Sequence, residues 1–412
     1  MQDSSPTSST SLRGVKRFSN QPPVSDRKKT KIGEPTLSSS SSNTYALEFL
    51  ADQALLDYIQ PFHPFDNQLF YYSGFDWRGD APNGDGTIYF DDKKTIHWMG
   101  NVIHGKADGY GTLMTINGSK YEGDVKGGLR HGKGKLMSSN GRLTYEGYFQ
   151  NGKRHGNGKM TYPNGEVYEG SFQNDKRHGK GTLTFKNGLV VFDGDFQVGK
   201  PHGNGILTHP NGDKYDGHFQ DGKRHGNGTL TYLNGDKYDG YFENGQFHGH
   251  GTYKYASGAE YVGDWQNNKH HGKGKLTRLN DRTIYEGDFQ EGKKCGQGKL
   301  MTLNHDIIYE GILENNKPHG KGKLSYLNGG VYEGDFLCGK RHGKGNLIYP
   351  NGDKYDGHFL NGKKHGEGRM TYVNRDVYDG NWQNGEKHGK GFEGGDNGIL
   401  IGVLYHNGDK IN

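Results

Sequence analysis

The sequence predicts an all-β fold, an elongated single-layer antiparallel meander of consecutive β-hairpins, preceded by a short helix and a disordered tail. Three observations indicate this fold. An aromatic residue recurs every 23 or 24 residues from Trp98 to Tyr378. Between these aromatics, apolar and polar residues alternate, as the two faces of a strand require. Asn-Gly and Asp-Gly pairs, which favour tight hairpin turns, separate the alternating runs.

Residues 1–43 form the predicted tail, because they are rich in Ser, Lys and Arg and lack apolar periodicity. Two basic clusters in this tail have the spacing of a bipartite nuclear-import signal. Such short basic patterns also arise by chance, so a generic basic tail or a lipid contact is the alternative. The basic residues of the two clusters are Lys16, Arg17, Arg27, Lys28, Lys29 and Lys31.

Residues 44–69 are predicted to contain a short amphipathic helix and a linker. The stretch TYALEFLADQALLDYI (44–59) has apolar residues at helical spacing, with Thr44 as the N-cap and Pro61 after the last turn. Two roles fit this helix. It covers the open edge or the apolar face of the first hairpins, since uncovered sheet edges invite aggregation, or it binds a partner.

Residues 70–396 form the predicted repeat array, with thirteen clear units from Trp98 and a degenerate unit before them. In the run YDGHF, Tyr215, Gly217 and Phe219 alternate with polar residues. In HGNGTLTY, Gly226 and Gly228 are expected to share the face of those rings. Glycine normally weakens a strand, so its recurrence here indicates that aromatic rings lie flat on the backbone.

Residues 397–412 are predicted to form a degenerate last repeat or cap, since GILIGVLYHNG is apolar and contains another turn pair. Each unit contributes two strands, and strands in a sheet are about 4.8 Å apart. Thirteen units would therefore span roughly 125 Å before sheet twist shortens that distance.

The unit resembles the MORN (membrane occupation and recognition nexus) repeat. The resemblance rests on YEG (145–147), Gly152, HGNG (155–158) and YPNG (162–165), and it extends over roughly residues 70–395. Asp175, Asn268 and Asn316 depart from it at the loop glycine, and Cys295 replaces the usual histidine. The resemblance implies consecutive β-hairpins and roles in scaffolding, membrane tethering and protein binding. In some relatives the repeats are an appendage to a lipid kinase or a SET-domain methyltransferase, and this chain has no room for either catalytic domain.

Composition excludes several classes of protein. Only 30% of the 412 residues are apolar, too few for several compact cores, and the net charge of +5 does not predict nucleic-acid binding. No run of eighteen apolar residues is present, so no membrane-spanning helix is expected. Cys295 and Cys338 are expected roughly 20 Å apart, too far for a disulfide. These features favour an intracellular protein, cytoplasmic or membrane-peripheral, with the nucleus as an alternative.

No enzyme, cofactor or metal site is predicted. The segments GYFQNGK (147–153) and GHFQDGK (217–223) approach a phosphate-binding loop, but they lack the following Ser or Thr and helix. GKGFEG (389–394) lacks the strand-then-helix context of a dinucleotide site. Histidines such as His155 and His225 recur once per unit, about 10 Å apart, so equivalent histidines cannot share one ion.

Two candidate sites remain. The first is an aromatic face that binds a protein partner, and its predicted residues are Tyr145, Phe149, Tyr168, Phe172, Tyr215, Phe219, Tyr238 and Phe242. The second is a basic stripe at one end of the hairpins, either a solvated edge or a contact for anionic lipid or an acidic partner. Its predicted residues are Lys153, Arg154, Lys176, Arg177, Lys223, Arg224, Lys340 and Arg341.

The sequence therefore predicts a non-enzymatic scaffold or adaptor that binds a protein along its ribbon and associates with membranes. The alternative is a regulatory module that binds anionic phospholipid or acts on a lipid kinase or another signalling enzyme in trans. The basic stripe separates the two hypotheses, because lipid binding depends on its charge and the aromatic face does not.

Overall fold

A computed structural model describes residues 71–73, 76–78, 81–89, 95, 97–115, 117–395 and 398–411. Within these ranges every regular element is a β-strand. The predicted tail (1–43) and the predicted helix with its linker (44–69) lie outside the described residues. The strands are β1 (Tyr71–Ser73), β2 (Asp76–Arg78), β3 (Ala81–Tyr89), β4 (His97–Ile103), β5 (Lys106–Met114), β6 (Lys120–Lys126), β7 (Leu129–Met137), β8 (Thr144–Gln150), β9 (Lys153–Thr161), β10 (Val167–Gln173), β11 (Lys176–Thr184), β12 (Val190–Gln197), β13 (Lys200–Thr208), β14 (Lys214–Gln220), β15 (Lys223–Thr231), β16 (Lys237–Glu243), β17 (Gln246–Lys254), β18 (Glu260–Gln266), β19 (Lys269–Arg278), β20 (Thr283–Gln290), β21 (Lys293–Thr302), β22 (Ile307–Glu314), β23 (Lys317–Ser325), β24 (Val331–Leu337), β25 (Lys340–Ile348), β26 (Lys354–Leu360), β27 (Lys363–Thr371), β28 (Val377–Gln383), β29 (Glu386–Gly394), β30 (Leu400–His406) and β31 (Asp409–Ile411).

The strands form one open antiparallel sheet. From β3 onward each strand pairs with the strand that follows it in sequence, as β3–β4, β8–β9 and β9–β10 show. β1 and β2 also pair with β3. The predicted all-β, single-layer meander of consecutive hairpins is confirmed for the described residues. We call the side that carries the tyrosine and phenylalanine rings the ring face and the other side the polar face.

Each hairpin from β4–β5 to β28–β29 contains a bulge in its second strand. In β8–β9, Gly147 pairs with Gly158 while Phe149 pairs with Arg154, so four steps on β9 match two on β8. Gly156 lies in the bulge with φ of 64°, a conformation that glycine adopts at little cost. The recurring His-Gly pair, replaced by Asp108-Gly109 and Cys295-Gly296 in two repeats, therefore forms the bulge.

The bulge corrects one prediction about the glycines. Gly226 was expected on the ring face, but it has φ of 61° and faces His218, whose Cβ would lie 3.4 Å from a Cβ added at Gly226. The two extra residues change the alternation, so Gly226 belongs to the bulge. Gly217 and Gly228 do face the Tyr215 ring, as predicted.

The core is a row of rings that lie on glycine backbone. A Cβ added at Gly147 would lie 2.6 Å from Tyr145 Oη and 2.5 Å from Gly158 Cα, so only glycine fits beneath the ring. The Tyr145 hydroxyl donates a hydrogen bond to the Tyr148 carbonyl at 2.9 Å. This arrangement satisfies the one polar atom of a ring that is otherwise buried.

The rings of neighbouring hairpins join edge to face. Tyr145 contacts Phe149 of its own hairpin and Phe172 of the next, both at 5.1 Å between centroids and near 90°. The same pattern continues at Tyr168 and Tyr215. Each such pair contributes about 0.5 to 1.5 kcal/mol beyond burial. Stability is thus distributed over contacts between adjacent repeats.

The turns between repeats are also joined to each other. The Asp213 carboxylate accepts a hydrogen bond from the Leu233 amide of the following turn at 2.9 Å. Asp236 does the same for the Ala256 amide and Asp353 for the Val373 amide. The aspartate of the Asn-Gly-Asp turn therefore links one repeat to the next.

Three hairpin loops lack the usual glycine, yet they keep the same backbone. Asp175, Asn268 and Asn316 have φ between 63° and 68°. Each side-chain oxygen accepts a hydrogen bond from the second residue of the preceding hairpin's return strand; for Asp175 the donor is the Arg154 amide, at 2.9 Å. This added bond offsets the cost of the left-handed backbone, about 1 kcal/mol for a residue other than glycine.

Candidate functional site

The predicted aromatic binding face is the core of the sheet. None of its eight side chains is more than 3% exposed; they are Tyr145, Phe149, Tyr168, Phe172, Tyr215, Phe219, Tyr238 and Phe242. The prediction that these rings are exposed is therefore wrong. The physical reason is that each tyrosine ring lies on glycine backbone and each phenylalanine ring packs edge-on against at least one tyrosine ring.

The buried tyrosines have the electrostatics of structural residues. Burial raises the pKa of the phenols of Tyr145, Tyr215 and Tyr238 well above their ordinary value. Their hydroxyls donate hydrogen bonds to backbone carbonyls at 2.9 to 3.0 Å. These groups remain protonated at any physiological pH, and a ligand would have to displace an existing bond to reach them.

The basic stripe divides into two rows with different environments. The first lysine of each predicted pair is at the hairpin end, and Lys153, Lys223 and Lys340 are exposed while Lys176 is half-buried. The second members, the arginines at 154, 177, 224 and 341, are buried or half-buried. The prediction that these arginines lie on an exposed edge is wrong, because they fold back over the rings.

Arg224 shows what the second row does. Its guanidinium carbon lies 5.8 Å from the Tyr215 ring centroid and 5.4 Å from that of Phe242 in the next hairpin. Arg224 Nη2 donates to the Gly245 carbonyl at 2.9 Å, and the Gly245 amide donates to the Arg224 carbonyl at 2.8 Å. We call this position the lid residue, because it covers one tyrosine and joins two hairpins.

The other three predicted arginines are lid residues of the same kind. Arg154 also forms an ion pair with Asp175 at 3.2 Å, and Arg177 and Arg341 donate to the carbonyls of the next loop glycine. At two hairpins an aromatic ring occupies the lid position in place of arginine. Phe247 stacks on Tyr238 at 3.8 Å and His270 on Tyr261 at 3.7 Å, both nearly parallel. The lid position therefore accepts either a cation or an aromatic ring as a cover for the tyrosine.

The His270 lid makes stability depend on pH. Burial, and secondarily the nearby Arg278, lowers the His270 pKa from 6.5 to about 4. Between these values the unfolded chain binds more protons than the folded chain, so stability falls as pH falls through this window. We expect His270→Phe, which copies the Phe247 lid, to remove about 1 to 2 kcal/mol of the stability loss between pH 7 and 5.

The measurement is the thermal midpoint at pH 7 and pH 5 for the wild type and for His270→Phe. The two chains share every other histidine, so the difference between the two chains reports on His270. An equal drop in midpoint for both chains would contradict the assignment.

The lid residues of the last repeats form a cluster of cations beside half-exposed tyrosines. We call Arg341, Tyr349, Lys364, Tyr372 and Lys387 the cation–tyrosine group. Lys364 Nζ lies 3.6 Å from the Trp382 ring centroid and 6.0 Å from that of Tyr349. Lys387 Nζ lies 5.8 Å from the Tyr372 centroid and pairs with Glu393 at 2.6 Å. Burial, then the charges of Lys387 and Arg341, lowers the pKa of Lys364 to about 8.

The polar face carries cross-strand ion pairs in most repeats. Lys275 pairs with Glu286 at 2.8 Å, and Lys321 with Asp335 at 2.7 Å. Exposed pairs of this kind contribute about 0 to 1 kcal/mol each. Alternating signs leave this face without a strong field of one sign.

The histidine row and the loop-like segments take ordinary structural positions. His248 Nδ1 lies 3.3 Å from Glu243, and His319 Nδ1 lies 3.0 Å from Glu314. The described part of the chain contains no group of three or more His, Cys, Asp or Glu residues that could hold a metal ion. Residues 147–153 and 217–223 span the end of one strand, its turn and the start of the next strand.

Two further observations concern the cysteines and the membrane. Cys295 is half-buried, Cys338 is exposed, and both are free thiols. Among the residues with described coordinates, no helix has the length and apolar character needed to cross a bilayer.

The segment 389–394 forms part of β29, so its glycines belong to the strand and bulge of the last clear repeat.

Comparison with solved structures gives only weak likenesses. The TCP domain of Drosophila melanogaster SAS-4, in complex with a proline-rich motif of Ana2, has a TM-score of 0.19 and 11% identity, covering 48% of this chain and 88% of that one. A streptogramin B lyase has a TM-score of 0.12 and 14% identity, covering 82% and 88%. Scores this low carry no argument about function. No curated protein matched the chain significantly.

The repeats of this chain match a known family model along residues 98–399. The MORN repeat model matches thirteen consecutive segments: residues 98–120, 121–141, 145–167, 168–190, 192–214, 215–237, 238–260, 261–279, 285–302, 309–331, 332–354, 355–377 and 378–399. MORN repeats form scaffolds often linked to membrane or protein binding, and the family is generally non-catalytic. The ring–glycine packing, the His-Gly bulge and the Asn-Gly turns account for the residues that the repeats share. The chain belongs to the MORN repeat family.

Proposed function

We propose that this chain is a non-enzymatic scaffold that binds an acidic segment of a partner protein along the ring face of its last repeats. The observation that carries the proposal is the cation–tyrosine group, in which three lid cations occupy successive hairpins beside half-exposed phenols. Equivalent positions in successive hairpins are about 10 Å apart. A partner chain that crosses these repeats would meet a cation and a phenol at each one.

The charges in this group are incompletely balanced by the protein. The charges of Lys387 and Arg341 lower the Lys364 pKa more than Asp353 raises it. Lys387 is balanced by Glu393, which also binds Lys410 at 3.0 Å. A carboxylate from a partner would restore the lysine pKa and gain a charge-assisted hydrogen bond. Half-exposed tyrosines beside cations are also the side chains enriched in protein interfaces.

The test compares full-length wild type with the double variant Lys364→Met/Lys387→Met. Methionine keeps an aliphatic cover over the rings and removes the charge. Both chains are used to capture proteins from extracts of cells that express this protein. Each captured protein is then purified, and its affinity for the two chains is measured. We expect the variant to weaken the affinity at least about tenfold at low salt, with the difference shrinking as salt rises.

The matched control is Lys321→Met, which removes a lysine from the polar face where it pairs with Asp335. This control should bind like the wild type. Equal binding by the double variant, or an equal loss in the control, would overturn the assignment of the binding surface to the cation–tyrosine group.

A second candidate function is binding to an anionic membrane surface through the first row of the basic stripe. Lys153, Lys223 and Lys340 are exposed at the same end of their hairpins, one step per repeat. Each contributes about 1 kcal/mol near an anionic surface, so several must act together. Charge reversal of these three lysines should abolish sedimentation with phosphatidylcholine vesicles that contain a phosphoinositide. Lys321→Glu serves as the control, and no sedimentation of the wild type at low salt would remove this function.

A further inference from the structure

The polar face of the first complete repeat differs from that of later repeats. The position after the ring residue holds an acid in β6, β8 and β10, namely Glu122, Glu146 and Glu169. In β4 the same position holds Met99, which is 46% exposed. On β5, where later repeats carry polar or charged residues, Tyr110 is 62% exposed.

Strand register extends this patch over three strands. Thr87, Met99 and Thr112 are directly opposite one another on β3, β4 and β5. Tyr89, His97 and Met114 form the adjacent row in the same register. We call this surface the N-terminal patch, and its members are Thr87, Tyr89, Met99, Tyr110, Thr112 and Met114.

We propose that residues 44–59 of the same chain bind the N-terminal patch as an amphipathic helix. The apolar residues of the segment fall on one side at helical spacing; they are Leu47, Leu50, Ala51, Ala54, Leu55 and Tyr58. An α-helix of this length is roughly 24 Å long. The seven residues of β4 extend over roughly 23 Å, so helix and patch match in length.

The covalent connection favours this occupant over any other. Twelve residues separate position 58 from Tyr71, the first residue of β1. They can span roughly 40 Å when extended. β1 pairs with β3, and β3 pairs with β4, so the connection needs to cover only about two strand spacings. The segment is thus held near the patch at a high effective concentration.

The chemistry of the two surfaces also agrees. The patch exposes the Met99 thioether where most later repeats carry an acid, and burying that side chain costs no charge desolvation. Tyr110 Oη donates a hydrogen bond to Glu122 at 3.1 Å, and the Lys120–Glu122 ion pair therefore forms the border of the patch. Met99 and Tyr110 are large exposed side chains on adjacent strands, and adjoining exposed apolar side chains often mark a covered surface. This binding is independent of the cation–tyrosine group, which lies in the last repeats.

The test is hydrogen exchange of the full-length chain, followed for amides of residues 44–59. The variant is Met99→Glu/Tyr110→Lys, which installs residues that the next repeat already carries as Glu122 and Lys133. This variant should therefore fold, and unchanged exchange in β16–β19 would verify that it does. We expect these amides to be protected in the wild type and to exchange at least about tenfold faster in the variant.

The matched control is Val262→Glu, which introduces a glutamate at the position of β18 equivalent to Met99 in β4. It should leave exchange in residues 44–59 unchanged. Fast exchange in the wild type, or protection that survives Met99→Glu/Tyr110→Lys, would overturn the proposal. Protection that rises with protein concentration, together with a doubled mass in light scattering, would assign the patch to a second copy and would also overturn it.

Discussion

Replacing Gly217 with alanine is expected to lower the local free energy of unfolding around β14 and β15 by about 3 kcal/mol or more. A Cβ at this position would lie 2.5 Å from Tyr215 Oη and 2.6 Å from Gly228 Cα. One neighbour is a fully buried ring and the other is backbone, so neither can move away cheaply. Displacing the ring also weakens its edge-to-face contacts with Phe219 and Phe242. Native-state hydrogen exchange of the β14–β15 amides measures the effect.

Gly402→Ala is the matched control for this prediction. Gly402 is also a strand glycine, but a Cβ added there would meet nothing within 4 Å. Alanine restricts the unfolded chain, so this variant should be neutral or more stable by up to about 1 kcal/mol. If Gly217→Ala and Gly402→Ala had the same effect, the glycines would not be required by the rings.

Tyr238→Ala is expected to cost about 3 to 5 kcal/mol of local stability, the range for removing a large buried ring. Tyr238 is stacked by Phe247 at 3.8 Å and contacted edge-on by Phe242 and Trp265. Its removal leaves a cavity between two hairpins and separates the ring rows on either side. Hydrogen exchange should rise in β16, β17 and β18 together, because stability in this sheet depends on neighbours.

Tyr238→Phe separates the ring from its hydroxyl. The variant loses one hydrogen bond, from Tyr238 Oη to the Tyr241 carbonyl at 3.0 Å, and should cost about 1 kcal/mol. A similar cost for Tyr238→Ala and Tyr238→Phe would mean that the hydroxyl, and not ring packing, stabilises this part of the sheet.

The sequence was sufficient to predict the strands, the turns and the ring–glycine packing. These follow from the alternation in runs such as YDGHF and from the Asn-Gly pairs, which are local signals. The sequence did not predict the bulge, because strict two-residue alternation of the strand faces assigns Gly226 to the ring face. The local sign of the bulge was the recurring His-Gly pair, which is Asp108-Gly109 or Cys295-Gly296 in two repeats and whose glycine has a positive φ in every clear repeat.

The candidate sites were harder to predict, because burial depends on contacts between repeats. An arginine after a turn resembles a solvated charge, so nothing in Lys223-Arg224 alone reveals that the arginine folds over Tyr215. Aligning the units would have shown it, since Phe247 and His270 occupy the same position as Arg224. A position that accepts a cation or a ring is a packing position. The aspartate links between turns had no comparable signal.

The lid residues have a consequence for how such a protein changes its size. Arg224 donates a hydrogen bond to the loop of the hairpin that follows it, and every other lid arginine does the same. Duplicating or deleting one whole unit in the gene would therefore leave each remaining junction chemically equivalent to those already present. The number of units can change without redesign of any interior, and the span of surface offered to other molecules changes in proportion.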